Sequence, residues 1–330
     1  MNLRAVRLLV WIASGVLCFS LPDRLFAATR IRIGYSAITT TQAPLWAAED
    51  RGLFQKYGLE PELIYLAGGS KIALALESES IQLGRFNVAS AVDARLAGAS
   101  SVVIGSFYDY YYFQIFGKPV LQRPADLKGK VIAASSAASA SEYGIRDALS
   151  YFGVKDNEYK ILYVGGTDAR VHALQQGIAD AAIISPPYGL IAQKLGFREI
   201  INLMEMKMLF GYGGLAGKES WLKQNRGIVL AFFKSYLEGL ALLRRDTEYA
   251  LKVIGKCSRI GDREILLESY RTGIPHIPTR PYVKREIVDK ALKVSKNSNA
   301  RNAEPERFYD NSFVKTLDDA GFLNSLFGSP

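Results

Sequence analysis

From Arg30 onward, short strand-like runs alternate with longer helical patterns along the chain. This alternation is typical of an α/β fold with a largely parallel sheet. The first unit comprises a strand at residues 31–35, a polar loop at 36–42, and a helix that Pro44 opens. The chain has 330 residues, of which 49% are apolar, so it is long enough for two lobes of this kind.

Two of the strand–loop–helix units match each other at a constant spacing. Tyr65 corresponds to Tyr163, and Gly68 corresponds to Gly166, 98 positions later in both pairs. Two lobes built on one plan produce such a repeat, and chance similarity between two βα units is the alternative.

The later part of the chain contains one more such unit and then becomes mainly helical. A strand at 130–134 leads into a hydroxyl-rich loop at 135–141 and a helix. From Trp221 onward, apolar residues recur at three- and four-residue steps, which predicts a set of helices that cover the first lobe. Residues 293–306 predict a polar loop before a last short helix around 313–317.

Glycine and hydroxyl residues follow the predicted strands at the points where the strands end. In open α/β sheets, ligands bind at these carboxyl ends. Residues 68–70 and 135–141 lie there, before helices whose unpaired N–H groups attract anions. Asn87 and Ser185 occupy equivalent strand ends in the two halves. The loops predict a site for a sulfonate, carboxylate, nitrate or phosphate group, with plain N-capping and turn formation as the alternative for each loop.

Several aromatic residues flank these loops, and we expect two or three of them to close around an apolar or planar part of the ligand. They include Trp46 and the run of three tyrosines at 110–112. The predicted ligand-binding residues are Tyr35, Ser36, Thr40, Pro44, Gly69, Ser70, Asn87, Ser136, Ser139, Ser185, Tyr188 and Tyr212.

Catalytic and metal-binding patterns are weak in this sequence. His172 and His276 have no second ligand at metal-binding spacing. The chain lacks a nucleophile elbow and a Walker-type loop. Residues 220–223 fit Ser-x-x-Lys without its partner motifs, and residues 211–216 fit a dinucleotide fingerprint without a strand–turn–helix around it. We therefore predict a protein that is not an enzyme and that binds neither a cofactor nor a metal.

The N-terminus predicts export. Arg4 and Arg7 precede residues 8–21, which carry no charge, and this order matches the first two regions of a secretory signal peptide. The apolar run is shorter than the roughly 20 residues that a membrane span needs, so an anchor is the less favoured alternative. We predict a signal peptide at 1–28, cleavage, and a periplasmic location.

Cysteine usage fits this prediction without adding a disulfide. Cys18 follows Leu17, where a lipoprotein would carry a small residue, so we interpret it as part of the signal peptide. After cleavage only Cys257 remains, and an intrachain disulfide is not possible.

The formal charge of +9 arises from scattered lysines and arginines. Such a balance suits an anionic ligand or a polyanionic cell surface. The chain has no basic run of the kind that marks nucleic-acid binding, so we predict no nucleic-acid partner.

Several short motifs, in their order and spacing, resemble the SsuA/THI5-like (NMT1/THI5-like) group of periplasmic solute-binding proteins. This group includes the nitrate, sulfonate and taurine receptors of ABC importers. The motifs that carry the resemblance are residues 33–35, 43–46, 52–54, 57–59, 68–70, 126–130, 173–174, 180–181 and 308–313.

The resemblance implies a type II periplasmic binding fold, in which two α/β lobes are joined by a two-segment hinge. We expect the crossings near residues 107–118 and 209–217, with lobe 1 at 29–117 and 213–330 and lobe 2 at 118–212. It also implies a monomer that captures a small polar or anionic organic molecule between its lobes and delivers it to an ABC permease in the inner membrane. Closure of the lobes would bury the ligand.

The sequence departs from the group at positions that bear on the ligand. Where relatives usually carry Gly and Asp, this chain has Glu79 and Gln82, and a strand of lobe 1 ends in residues 84–87, Gly-Arg-Phe-Asn. A receptor for a pyrimidine precursor of thiamin is therefore an alternative, as is a sensory protein that feeds a membrane kinase. A third is the branch that makes the thiamin pyrimidine with pyridoxal phosphate, although this chain lacks the cysteine-rich motif of that branch.

Overall fold

The computed structural model describes residues 28–329 of the chain. The predicted signal peptide, with Arg4, Arg7 and Cys18, lies almost wholly outside this range. Within it, ten strands form two sheets. The strands are β1 Thr29–Tyr35, β2 Leu59–Tyr65, β3 Leu83–Phe86, β4 Ser101–Ser106, β5 Gln114–Gly117, β6 Val131–Ala134, β7 Lys160–Tyr163, β8 Ala181–Ile184, β9 Arg198–Asn202 and β10 Gly214–Lys218.

Helices connect these strands and then continue to the C-terminus. Among residues 28–329, no helix is both long enough and apolar enough to cross a bilayer. The helices are α1 Ala43–Asp50, α2 Leu53–Lys56, α3 Gly69–Glu77, α4 Val88–Leu96, α5 Ala140–Tyr151, α6 Thr167–Gln175, α7 Tyr188–Lys194, α8 Glu219–Gln224, α9 Arg226–Arg245, α10 Thr247–Ser258, α11 Arg263–Gly273, α12 Arg285–Val294, α13 Ser312–Asp319 and α14 Phe322–Phe327.

The two sheets have the same plan, which confirms the predicted pair of α/β lobes. Their strand orders are β2-β1-β3-β10-β4 and β7-β6-β8-β5-β9. In each sheet the first three strands are parallel, and the fourth is antiparallel to both of its neighbours. The repeat in the sequence corresponds to this plan, because β2 and β7 occupy the same place and α3 and α6 follow them at equivalent positions.

The antiparallel fourth strand of each sheet is the first strand that follows a crossing between the lobes. The chain enters the second sheet with β5 and returns to the first sheet with β10. The predicted boundary after residue 117 is therefore wrong by one strand, since β5 pairs with β8 and β9 and Phe116 is buried in the second lobe. Without β5, that edge of β8 would present unpaired backbone groups. The rest of the predicted division stays a proposal.

The helices after β10 cover the first lobe, as the periodicity predicts. Helix α9 packs against α1, and Gly239 is needed at their contact because a Cβ there would lie 2.5 Å from the Pro44 carbonyl oxygen. Phe232, Phe233 and Tyr236 on the same helix are fully buried. The predicted last helix is not the last, because Gly321 ends α13 with a φ of 71° and α14 follows. Six residues are too few to show helical periodicity in the sequence.

Hydrogen bonds between the lobes hold them together at the mouth of the cleft. The Tyr143 hydroxyl of α5 donates to the Asp93 carboxylate of α4, and the Ser295 hydroxyl donates to the same carboxylate. Nearby, Ser90 Oγ donates to the Ala138 carbonyl oxygen at 2.6 Å. Tyr143 and Ala138 belong to the second lobe, whereas Asp93, Ser90 and Ser295 belong to the first. The Tyr143–Asp93 and Ser90–Ala138 hydrogen bonds therefore exist only when the lobes are closed.

We predict that Tyr143→Phe shifts the ligand-free protein toward an open arrangement. A hydrogen bond to a charged group contributes about 1.5–3 kcal/mol, which is roughly a tenfold or larger change in the lobe equilibrium. Small-angle X-ray scattering should show a larger radius of gyration for this variant. Tyr159→Phe is the matched control, because the Tyr159 hydroxyl donates to Asp156 within the second lobe at 2.8 Å. Identical scattering from all three proteins would contradict the prediction.

Candidate functional site

A small cavity lies where the carboxyl ends of the two sheets face each other. Its volume is about 30 Å³, which shows how tightly the lobes meet. A groove of about 300 Å³ between α7 and α11 is larger, but it lies beside the strand ends. The cavity is lined by Ser36, Ala37, Gln42, Tyr65, Ala67, Gly68, Gly69, Asn87, Phe113, Ser135, Ser139, Ala140, Ser141, Gly166, Thr167, Arg170 and Tyr212.

Five helices begin at this cavity. Lining residues stand at the first or the capping position of each: Gln42 for α1, Gly69 for α3, Asn87 for α4, Ser139 for α5 and Thr167 for α6. The first N–H groups of a helix have no partner within the helix, and the dipole places a partial positive charge at this end. The cavity wall is therefore rich in donors and electropositive.

Two of the predicted site residues cap the helices that they precede. Asn87 Oδ1 accepts a hydrogen bond from Ser90 N at 2.8 Å, and Ser139 Oγ accepts one from Glu142 N at 3.4 Å. The capping alternative is thus correct for both side chains. Both residues also line the cavity, so capping and a place at the site coexist.

Gly68 allows the lobes to approach each other beside the cavity, and Gly69 allows α3 to approach α4 within the first lobe. A Cβ on Gly68 would lie 2.2 Å from Ser136 Oγ, and the φ of Gly68 is 98°, a conformation that side chains disfavour. A Cβ on Gly69 would lie 2.4 Å from Ser90 Oγ. Next to them, the Ser70 and Ser136 hydroxyls meet across the lobes at 3.3 Å. A side chain at Gly68 would keep the cleft from closing, whereas one at Gly69 would disturb the packing of α3 against α4.

Arg170 on α6 is the charged residue of the lining, and only 3% of its surface is exposed. Its guanidinium donates to Thr167 Oγ1 at 2.6 Å, to the Gly166 carbonyl oxygen at 3.3 Å and to the Ile183 carbonyl oxygen. All three acceptors are neutral. Burial lowers the pKa of Arg170 to about 10, so the side chain is still a cation at neutral pH. A buried cation without a carboxylate partner is costly, and an anion beside it reduces that cost.

A second buried arginine lies behind the cavity, in the first lobe. Arg85 on β3 is fully buried and donates to the carbonyl oxygens of Gly213 and Gly214 at 2.6 and 2.9 Å. Its guanidinium lies 4.5 Å from the centre of the Phe107 ring, and burial lowers its pKa. Its Nε has no hydrogen-bond partner in the described part of the chain. Arg85 thus fixes the segment that carries Tyr212 and adds positive charge behind it.

Gln42 and two tyrosines complete the polar lining. The buried Gln42 Oε1 has no partner among residues 28–329. Burial raises the pKa of Tyr212 and raises that of Tyr65 to about 12, with a further contribution from Asp168 at Tyr65. Both phenols are therefore neutral hydrogen-bond donors at physiological pH.

Five of the predicted ligand-binding residues line the cavity, and two more lie next to it. Ser185 is fully buried, and its hydroxyl bonds to Thr167 Oγ1 at 3.1 Å. The Tyr35 ring packs behind the Tyr65 ring, with 5.6 Å between their centres. The five residues in the lining are Ser36, Gly69, Asn87, Ser139 and Tyr212.

The other five predicted residues lie outside the lining. Thr40 is fully buried and bonded to Ser269, while Pro44 packs in the first turn of α1. The Ser70 and Ser136 side chains are engaged with each other between the lobes, and Tyr188 begins α7 beyond the lining. In this structure the side chains of these five residues serve packing or contacts between the lobes, and their contact with a ligand stays a prediction.

The most important residue that the sequence analysis missed is Arg170. An arginine in a helical pattern looks the same in a sequence whether it is exposed or buried, so nothing in the sequence indicated that Arg170 is buried at the site. Thr167 did carry a signal, because it occupies the position equivalent to Gly69 in the repeat. Gln42, Tyr65 and Phe113 also line the cavity without having been predicted to contact the ligand.

Comparisons with known proteins agree with this architecture. A protein from Bordetella bronchiseptica RB50 is similar at 17% identity and a TM-score of 0.79, over 88% of this chain and 98% of that chain. The alkanesulfonate-binding protein SsuA from Xanthomonas axonopodis pv. citri, bound to MOPS, is similar at 19% identity and a TM-score of 0.68, over 87% and 97%. The periplasmic nitrate-binding protein NrtA from Synechocystis PCC 6803 is similar at 12% identity and a TM-score of 0.69, over 89% of both chains.

These structural likenesses establish the fold as that of the periplasmic binding proteins. None of the curated proteins compared with the chain matches it. A family model described as NMT1/THI5 like matches residues 39–250, which include nine of the ten described strands and every residue that lines the cavity except Ser36 and Ala37. The chain therefore belongs to the NMT1/THI5-like family, as the short motifs in its sequence indicate.

Proposed function

We propose that this protein is an extracytoplasmic receptor of an ABC transporter that captures a small anion between its lobes and delivers it to the permease. The observation that carries the proposal is Arg170, a buried cation with neutral partners, at the meeting point of five helix N-termini. Sulfonate, nitrate and carboxylate groups all suit this environment, because each presents several acceptor oxygens and a negative charge.

The expected energies are large enough for specific binding. A hydrogen bond between Arg170 and an anionic ligand contributes about 1.5–3 kcal/mol. Each helix N-terminus that faces the ligand adds about 0.3–1 kcal/mol, and more where it is partly buried. Together these terms are of the size that separates millimolar from micromolar affinity, about 4 kcal/mol.

The cavity favours capture without chemistry. Several hydroxyls line it, but activation of a hydroxyl needs an adjacent base. Among the described lining residues, none is a histidine, a cysteine or a carboxylate. A receptor role also fits the predicted signal peptide and a periplasmic monomer, and the named relatives include binding proteins for alkanesulfonate and nitrate.

We predict that Arg170→Gln weakens binding of the best anion about 10- to 100-fold, because it removes one charge-assisted hydrogen bond. Glutamine keeps an N–H donor for the backbone carbonyl groups, and circular dichroism checks that the variant folds. A thermal-shift screen of nitrate, methanesulfonate, acetate and phosphate identifies the anion, and isothermal titration calorimetry measures its affinity. Arg123→Gln is the matched control, because Arg123 is an exposed arginine of the second lobe.

Two results would contradict the proposal. Equal affinities of the parent protein and of Arg170→Gln for the anion would show that the Arg170 cation does not contribute to binding. If mass spectrometry after prolonged incubation showed that the bound anion is converted to a product, the protein would be an enzyme and not a receptor. Stabilisation by pyrimidines but by no anion would favour the pyrimidine receptor instead.

We predict that the affinity for the anion is constant near neutral pH and falls only at alkaline pH. The pKa of Arg170, lowered to about 10, keeps the guanidinium protonated in the free receptor between about pH 6 and pH 9. Affinity for methanesulfonate, whose own charge is constant, should be flat over this range. It should fall as the pH rises above about 10, because the free receptor then loses the proton that the bound anion needs. A rise in affinity below pH 7 would instead indicate a histidine or carboxylate at the site, because its protonation adds positive charge.

A further inference from the structure

We propose that the cavity selects anions that carry no ammonium group, so that it rejects zwitterions such as taurine and accepts anions of the same size with a neutral tail. This inference rests on the function proposed above and narrows its ligand class. It follows from which charges face the cavity, which acceptors are already engaged, and where the nearest carboxylates point.

The one charged side chain in the described lining of the cavity is a cation. None of the described lining residues is acidic, and Arg170 is a buried cation among them. The helix N-termini add partial positive charge. An ammonium group in the same small space would lie close to a guanidinium, and repulsion between like charges is strong where solvent is excluded.

The nearest carboxylates are engaged outside the cavity or exposed to solvent. Asp93 accepts hydrogen bonds from Tyr143 and from a serine of the first lobe at the mouth of the cleft. Glu142 pairs with Arg146 at 2.8 Å. Asp168 is exposed at the start of α6, where water screens its charge. None of the three lines the cavity, although the Asp168 charge reaches Tyr65 and Arg170, where it acts to raise the pKa of both.

The lining hydroxyls are also largely engaged with one another. Ser135 Oγ donates to Ser139 Oγ at 2.9 Å, and Ser141 Oγ lies 2.8 Å from both. Among the described lining residues, the buried Gln42 Oε1 is an acceptor without a hydrogen-bond partner. One neutral amide oxygen suits a ligand hydroxyl, but it does not balance a buried ammonium charge.

Two series of size-matched anions test the inference on the purified, exported protein. The sulfonate series is propane-1-sulfonate, isethionate and taurine, which differ in a terminal methyl, hydroxyl or ammonium group. The carboxylate series is propionate, glycolate and glycine, with the same three groups. Calorimetry at pH 7 and low salt should give at least tenfold weaker binding for the ammonium member of whichever series binds. Arg170→Gln should bring this ratio close to one, because the repelling charge is gone, whereas Arg123→Gln should leave it unchanged.

The outcomes separate this inference from the proposed function. If taurine or glycine binds as tightly as its matched anions, the selection against ammonium groups is wrong, while the anion receptor stands. If the ratio persists in Arg170→Gln, the guanidinium is not its cause and the inference is overturned. If no member of either series binds and other anions also fail, the proposed function is wrong and the inference falls with it.

Discussion

In each sheet the antiparallel fourth strand is the first strand after the chain passes from one lobe to the other, and the arrangement of the site depends on this exchange of the chain between the lobes. Strand β5 closes the edge of β8, and β10 lies between β3 and β4. The exchange produces two crossings, which hold the carboxyl ends of both sheets face to face. Phe113 and Tyr212 lie on these crossings and therefore become part of the cavity wall.

Positive charge is buried in both lobes beside the cleft. Arg170 and Arg85 satisfy their donors mainly with backbone carbonyl oxygens, which offer hydrogen bonds without a full countercharge. Folding alone therefore leaves part of the desolvation cost of these cations uncompensated. In the proposed receptor, the bound anion would supply the missing countercharge, and it would do so best when the lobes are closed and water is excluded. Ligand binding and lobe closure are thus coupled through the same electrostatic energy.

Local patterns in the sequence were enough to predict the two lobes and the positions of the loops that form the site. The repeat that relates Tyr65 to Tyr163 records the shared plan, and Asn87 and Ser185 do stand at equivalent strand ends. The burial of Arg170 and the contact between Tyr143 and Asp93 join parts of the chain that only the tertiary structure brings together. Thr40 and Tyr188 are similar cases, because the sequence indicates that they lie near a strand end but not in which direction their side chains point.

The order of the strands along the chain also bears on how the protein assembles. The second sheet uses a continuous stretch from β5 to β9, so all of its strands are present once residue 202 has been made. The first sheet cannot join β4 to β3 until β10 arrives more than a hundred residues after β4. Closing so long a loop carries an entropic cost that local pairing avoids. The second lobe, whose strands lie in the middle of the chain, is thus expected to fold first. The first lobe completes its sheet afterwards, when β10 becomes available.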